Sequence, residues 1–383
     1  MKIPFVDLHA QYLTIKDAID GAIAEVIAES AYIRGRHVDA FEQAWANTLG
    51  VKRCVSCANG TDALYIALRG LGVKPGDEII TSAHSWISTS ETITQAGGRV
   101  VFCDTNEETF TIDPDDIERK ITPSTVGIIP VHLYGQAADM DAIMAIAKKH
   151  GLWVLEDCAQ AHLARYNGQF VGTFGNAATF SFYPGKNLGA YGDAGCIVTN
   201  DDRLAEWMTT FARHGGKGDH VMEGINSRMD GLQAAILNAK LPHLPAWTEA
   251  RRCVAACYNG LLEQVGDVII PKVGSDRDHV YHLYVIRTEN RDALKEYLTQ
   301  AGISTVLNYP KALPFYPAYA YLGHVPNDFP VACFNQSRIL SLPIYPEMTK
   351  EMIIRIVECI GSFFQETASI PVKVVEFASL QKV

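Results

Sequence analysis

Short apolar runs alternate with helically spaced ones through the first two-thirds of the chain. The apolar runs predict strands over 54–57, 78–81, 99–103, 126–131, 153–155, 178–182 and 196–199. Apolar residues three and four apart predict helices over 62–70, 88–96, 140–150 and 203–214. Strands alternating with helices predict an α/β domain built on a mostly parallel sheet. The turn between the last two strands is too short for a crossover helix. Those two strands are therefore expected to pair antiparallel, giving a sheet of mixed type. The stretch 229–262 is rich in Ala, Leu, Lys and Gln but holds Pro242 and Pro245. It predicts two helices, or one broken helix, leading into a smaller second α/β domain. The expected division is a large domain over 1–245, N-terminal segment included, and a small C-terminal domain over 246–383. In the small domain strands are predicted over 281–287 and 304–307. The segment 308–321, dense in Pro and aromatics, reads as an ordered loop bordering a pocket. The tail 369–383 carries no assignable role, and the chain has neither an internal repeat nor a low-complexity segment.

The chemistry concentrates in Ser181-Phe182-Tyr183-Pro184-Gly185-Lys186-Asn187-Leu188-Gly189-Ala190-Tyr191-Gly192-Asp193-Ala194-Gly195. One lysine sits in a glycine-rich turn just after an apolar strand. Alone, a Gly-Lys pair reads as a solvated loop lysine. A lysine that must form an imine with a cofactor aldehyde needs this setting: a lowered pKa, a fixed approach and little crowding. Lys186 is therefore a candidate Schiff-base lysine for pyridoxal 5'-phosphate (PLP). Such an enzyme needs an acid to keep the pyridine nitrogen protonated. Asp157, in Trp153-Val154-Leu155-Glu156-Asp157-Cys158-Ala159-Gln160-Ala161-His162, follows a strand at the end where parallel sheets bind ligands. A helix N-cap is the competing role for a lone aspartate there. Gln160 can reach the cofactor's phenolic oxygen, whereas His162 is expected to be packed and satisfied. In Ala58-Asn59-Gly60-Thr61-Asp62-Ala63-Leu64 a strand enters a Gly-Thr turn and then a helix, a fit for phosphate. Gly60 lets the backbone approach the anion, Thr61 adds a hydroxyl, and Ser181 is a further candidate. Trp86 is placed to stack on a ring, although a lone Trp is more often core.

Taken together, these segments resemble the DegT/DnrJ/StrS family of PLP-dependent nucleotide-sugar aminotransferases. The resemblance runs from about Pro4 to about Pro346. It adds Pro4-Phe5-Val6-Asp7-Leu8, Pro130-Val131-His132-Leu133-Tyr134-Gly135-Gln136 and Asn226-Ser227-Arg228-Met229-Asp230 to the segments above. It implies the aspartate-aminotransferase fold (PLP fold type I) and a homodimer with composite sites. It further implies that Lys186 carries the cofactor and that Asp157 pairs with the ring nitrogen. Trp86 would stack on the ring, and Gln160 would face the phenolic oxygen. Gly60, Thr61 and Ser181 would hold the phosphate, with Asn226 reaching the phosphate of the neighbouring subunit's cofactor. Family members that dehydrate have histidine in place of the lysine, and Lys186 argues against that chemistry.

The implied reaction moves an amino group from L-glutamate to a keto carbon of a nucleotide-linked sugar. The stretch Ala190-Tyr191-Gly192-Asp193-Ala194-Gly195 resembles members that aminate carbon 3, where Tyr-Gly-Asp-Gly-Gly is usual. Ala194 departs from that pattern. Asn308, in Asn308-Tyr309-Pro310, stands where many relatives have histidine, so the sugar pocket is expected to differ. Tyr183, Arg213, His214, Asn308 and Tyr309 are candidate substrate contacts, and Lys217 a candidate cation for the diphosphate. A thymidine-diphosphate 3-keto-6-deoxyhexose is the expected acceptor. Behind it come a uridine-diphosphate 3-keto N-acetyl sugar and then a 4-keto sugar. The reading from another class is a regulatory protein that binds PLP or a sugar without turnover.

Composition narrows the alternatives. At 383 residues and 48% hydrophobic content the chain can bury a large core. A formal net charge of −10 with no long basic run disfavours nucleic acid as a partner. No apolar run of about 18 residues predicts a transmembrane helix. The N-terminus lacks the apolar stretch of a signal peptide, so a cytoplasmic location is expected. Nine scattered cysteines do not suggest a disulfide framework. Cys54 and Cys57 form a C-x-x-C inside a predicted strand with no second Cys/His pair, so no metal site is expected.

Overall fold

In the computed structural model, residues 1–216 and 218–367 are described. Lys217 and the tail 369–383 lie outside the described residues. A seven-stranded sheet organises the larger part of the molecule. Its strands are β1 (Arg53–Cys57), β2 (Glu78–Ser82), β3 (Arg99–Cys103), β4 (Thr125–Ile129), β5 (Trp153–Asp157), β6 (Ala177–Ser181) and β7 (Gly195–Thr199), in the spatial order β1-β7-β6-β5-β4-β2-β3. The pairs among β2 to β6 are parallel, and β7 runs antiparallel to both β6 and β1. The mixed sheet is as the short turn between β6 and β7 predicts.

Both faces of the sheet are covered, and side chains alternate between two cores. Ile80, Val154, Ala178 and Cys196 join one core with Trp45 and Ile143. Their strand neighbours Ile79, Leu155, Ala177 and Ile197 join the other, with Leu64 and Met208. That double burial explains why the strands read as near-continuous apolar runs. Helix Leu8–Thr14, helix Lys16–Glu29 and helix Arg36–Leu49 precede the sheet.

The proline-bearing stretch divides as predicted, into helix Gly231–Lys240, a 3-10 turn Leu241–His243 and helix Leu244–Leu262. Leu244 belongs to the first core of the large sheet, whereas Val254, Tyr258 and Leu262 belong to a third core. That third core also contains Ile3, which bridges in parallel to Ile303. A two-stranded antiparallel sheet, Tyr284–Arg287 with Ile339–Leu342, stands at its centre. The strand predicted over 304–307 is not formed. Its hydrogen bonds go to two different partners, the Ser304 amide to the Ile3 carbonyl and the Val306 amide to the Ser341 carbonyl. The helix predicted over 203–214 ends at Phe211, because Arg213 pairs with Asn226 and His214 takes a φ of 56°.

Candidate active site

The carboxyl ends of the parallel strands share one edge, and the candidate residues gather along it. β1 reaches the same edge, since it and β6 are each antiparallel to β7. In register, Gly195 faces Cys57 on one side and Ser181 on the other. A Cβ on Gly195 would lie 2.4 Å from the Asn59 carbonyl, and one on Gly60 would lie 2.7 Å from the Ser181 Cβ. Two glycines thus bring the Gly60 turn and Ser181 together across β7.

The Gly60 turn opens helix Gly60–Gly70. Asn59 caps it, its side chain accepting from the Asp62 amide at 2.8 Å. The first amides of a helix have no intrahelical acceptor, so those of Gly60 and Thr61 suit an anion. Thr61 and Ser88 hydroxyls meet at 2.7 Å. Ser227, fully buried, accepts from the Ala58 amide at 3.0 Å and donates to Asp62 at 2.6 Å, holding the turn from behind.

Asp157 closes β5 and is buried. One carboxylate oxygen accepts from the Thr89 hydroxyl at 2.8 Å, the other from the Ala159 amide at 3.1 Å. Its backbone is fixed on both sides, by the Pro130 carbonyl at 2.9 Å and the His132 amide at 3.0 Å. Thr89 escaped the sequence reading. It is 68 residues distant, and nothing local distinguishes it from any helix-facing threonine. Neighbouring Glu156 points to the other side. It takes amide bonds from Gly172, Phe174 and Gly175 at 2.7, 2.8 and 2.8 Å and a bond from His132 Nε2 at 3.0 Å. His132 Nδ1 accepts from the Ala138 amide, so Nε2 is the nitrogen that carries the proton. With Cys158, these two residues make a group of possible metal ligands. The carboxylate and both ring nitrogens are already engaged, so the group is read as a structural anchor for β5.

Lys186 is partly buried in its turn, its amide donating to the Tyr183 carbonyl at 2.8 Å. Burial pulls its amine down to about 8 against the attraction of Asp157. Fully buried His162 packs against Trp45, Phe180 and Phe182. No hydrogen bond of ordinary geometry reaches its ring nitrogens, the Ser181 backbone being the polar group that interacts with the ring, so the expectation of a packed histidine holds and that of a satisfied one holds only weakly. Burial, with the Lys186 charge behind it, lowers His162 to about 3, so the ring is neutral.

Gln160 Oε1 accepts from the Tyr134 amide at 2.7 Å, and its Nε2 donates to the Tyr309 hydroxyl at 2.8 Å. Tyr309 also bonds His84 through its backbone and lies 5.5 Å from the Trp86 ring. Trp86 is 57% exposed, with a face free for a ligand. The segment after 308 thus reaches the edge of the sheet. The Asn308 carbonyl accepts from the Tyr134 hydroxyl, and its side-chain oxygen accepts from Ser341 at 2.9 Å. Tyr183 and His214 are exposed, Arg213 is partly buried, and exposed Asn226 sits beside Arg213, with no contact to Lys186 or Asp157.

The residues present fit PLP. The first amides of helix Gly60–Gly70 lack intrahelical acceptors and lie beside Thr61 and Ser181, an acid is anchored by two donors, and Lys186 has a lowered pKa. Lys186 should therefore capture PLP with a characteristic pH dependence. The nucleophile is the neutral amine, so capture by cofactor-free protein should rise about tenfold per pH unit below about 8 and level off above it. A rise continuing to the ordinary value of 10.5 would contradict the lowered amine. Stopped-flow absorbance from pH about 6 to about 10 distinguishes the two.

Comparison with known proteins agrees with this geometry. The model of the DegT/DnrJ/EryC1/StrS aminotransferase family matches residues 13–361. A "pleiotropic regulatory protein" of Geobacillus stearothermophilus is 47% identical, over 96% of this chain and all of that protein. The dTDP-3-amino-3,4,6-trideoxy-alpha-D-glucose transaminase of Streptomyces venezuelae is 40% identical, over 94% of this chain and 95% of that one. The crystal structure of S. venezuelae DesV in complex with a ketimine intermediate superposes with a TM-score of 0.93 at 39% identity, covering 95% of this chain and 99% of that one. The chain belongs to the DegT/DnrJ/EryC1/StrS family and is a PLP-dependent aminotransferase.

Proposed function

We propose that this enzyme transfers the amino group of L-glutamate to carbon 3 of a nucleotide-linked keto sugar, foremost a thymidine-diphosphate 3-keto-6-deoxyhexose. The convergence of Lys186, Asp157 and the Gly60-Thr61-Ser181 cradle on one sheet edge carries the transferase reading. PLP, when bound, supplies an electron sink for the carbon that gains or loses a proton. Lys186 would hold the cofactor and, with its amine free, would serve as the base and acid for the proton at the substrate carbon. Asp157 keeps the pyridine nitrogen protonated, with Thr89 and Ala159 fixing its oxygens. Gln160 and Tyr309 would serve the phenolic oxygen, and Trp86 would cover the ring. A binding-only protein, which the name of the Geobacillus relative brings to mind, needs neither a lysine with a lowered pKa nor an anchored acid.

The carbon 3 reading rests on Tyr191-Gly192-Asp193, a few residues past Lys186. The sugar contacts we assign are Tyr183, Arg213, His214 and Tyr309. Asn308 is engaged with Ser341 and is given a part in shaping the pocket rather than in direct contact. Activated sugars of this kind go with a cytoplasmic enzyme. The test is turnover on matched 3-keto and 4-keto nucleotide sugars with NMR to locate the new amine. Nitrogen at carbon 3 on the thymidine-linked sugar is expected, with one equivalent of 2-oxoglutarate formed per amine. Amination at carbon 4 alone would overturn the regiochemistry, and preference for a uridine-linked N-acetyl sugar would overturn the acceptor.

We also infer a homodimer with shared sites. Asn226 is exposed on the single chain, and Leu13, Ile27, Tyr32 and Ile33 leave apolar surface uncovered beside the N-terminal helices. Mixing inactive Lys186→Ala with an inactive Asn226→Ala variant should restore partial activity through one intact site per mixed dimer. No recovery after verified subunit exchange would remove Asn226 from the partner's site.

A further inference from the structure

Gly189 closes the lysine turn on itself. A Cβ there would stand 2.2 Å from the Pro184 carbonyl oxygen and 2.9 Å from that of Tyr183. The exit of the turn therefore touches its entry, and Lys186 lies between them. Two side chains of helix Gly231–Lys240 hold that exit. Gln233 Oε1 accepts from the Tyr191 amide at 2.8 Å, and Lys240 Nζ donates to the Gly189 carbonyl at 2.8 Å. Seven residues apart, they lie two helical turns apart on one face. The Gln233 amide nitrogen also occupies the place a Cβ on Gly192 would need, at 2.9 Å.

Lys240 is an expensive choice for so simple a contact. It is 1% exposed, and its ammonium lies 4.4 Å from the Tyr191 ring centroid. Burying an ammonium is unfavourable, and an apolar side chain would pack the same space more stably. The helix that presents it is itself fixed. The Gly231 amide donates to the Tyr32 carbonyl at 2.8 Å, and a Cβ on Gly231 would fall 1.9 Å from the Ala31 carbonyl oxygen.

We propose that Gln233 and Lys240 are positioning residues that clamp the segment Gly189 to Tyr191, and through it fix the approach of the Lys186 amine to its partner carbon. This rests on the reading of Lys186 as the cofactor lysine. Neither side chain acts on the reacting atoms; both act through the backbone of Gly189 and Tyr191.

The test compares Lys240→Met, Gln233→Leu and the conservative Gln233→Glu, which keeps the acceptor. Three properties are measured: melting temperature, trace acetylation of Lys186 in cofactor-free protein by mass spectrometry, and kcat and KM. A misplacement of about 1 Å costs about a hundredfold in rate. Lys240→Met and Gln233→Leu are therefore expected to lower kcat by about ten- to a hundredfold and to change Lys186 acetylation severalfold relative to exposed lysines. KM for glutamate should stay within about threefold. Gln233→Glu should behave like the parent. Gln233 is only partly buried, so its variants carry the test if Lys240→Met folds poorly. Unchanged Lys186 acetylation and kcat in folded Gln233→Leu would overturn the clamp. Borohydride fixation in the parent separates the two readings. An adduct on another lysine sinks the cofactor assignment, while an adduct on Lys186 with unchanged acetylation sinks only the clamp.

Discussion

Lys186→Ala is expected to lower turnover by about four orders of magnitude or more, with the protein still folded. In the proposed reaction the side chain has two tasks, holding the cofactor and moving the proton, and no second lysine stands in the turn. Its folded pKa, about 8, lies below the ordinary 10.5. The sign follows from linkage. Below about pH 8 the ammonium is held in the fold at a cost the unfolded chain does not bear. That cost shrinks from pH 8 upward and is gone above 10.5. Removing the amine should therefore leave stability at pH about 7 unchanged or raised, and unchanged above pH about 10.5. Cofactor-free melting curves at those two pH values, set beside turnover, separate lost chemistry from lost folding. A variant that is inactive because it melts early at neutral pH would contradict this account.

Asp157→Asn is expected to lower kcat by about ten- to a thousandfold while PLP stays bound. An opposite charge within a few ångströms favours a protonated partner by about 1–3 pKa units, and each unit is a factor of about ten. Asparagine keeps an oxygen for the Thr89 hydroxyl or the Ala159 amide, but brings no charge. PLP per subunit by absorbance, together with single-turnover rates with glutamate, tests this. Loss of occupancy equal to the loss of rate would reduce Asp157 to a binding role. Near-normal turnover would remove it from the chemistry altogether.

Strand positions in the seven-stranded sheet were legible because β1 to β7 are largely buried, leaving short apolar runs between helical ones. Ends differ by a few residues, as where β4 closes at Ile129 and 130–132 bonds instead to Asp157. Much of the site was legible for a related reason. Asp157 and Ser181 end strands, Gly60 and Lys186 follow strands closely, and the sheet brings those ends together. What stayed hidden depends on pairs distant in sequence. Thr89 meets Asp157, Gln160 meets Tyr309, and Lys240 meets Gly189 across separations that leave no local pattern. The strand Ile339–Leu342 was missed because four residues are too few to show a period. The segment 304–307 was misread because its apolar character serves two neighbours rather than one ladder. Asn308 is a subtler case, as its neighbour Ser341 is fixed by pairing with Val285 and Val306, both distant in sequence.

The central claim is that Lys186 carries PLP at the edge of the sheet. Borohydride reduction of the PLP-loaded enzyme, followed by proteolysis and mass spectrometry, tests it most directly. The account predicts one phosphopyridoxyl group per subunit, on Lys186, lost if the enzyme is first converted with glutamate to its aminated form. An adduct on any other lysine would contradict it, while one on Lys186 that glutamate does not prevent would overturn only the proposed donor.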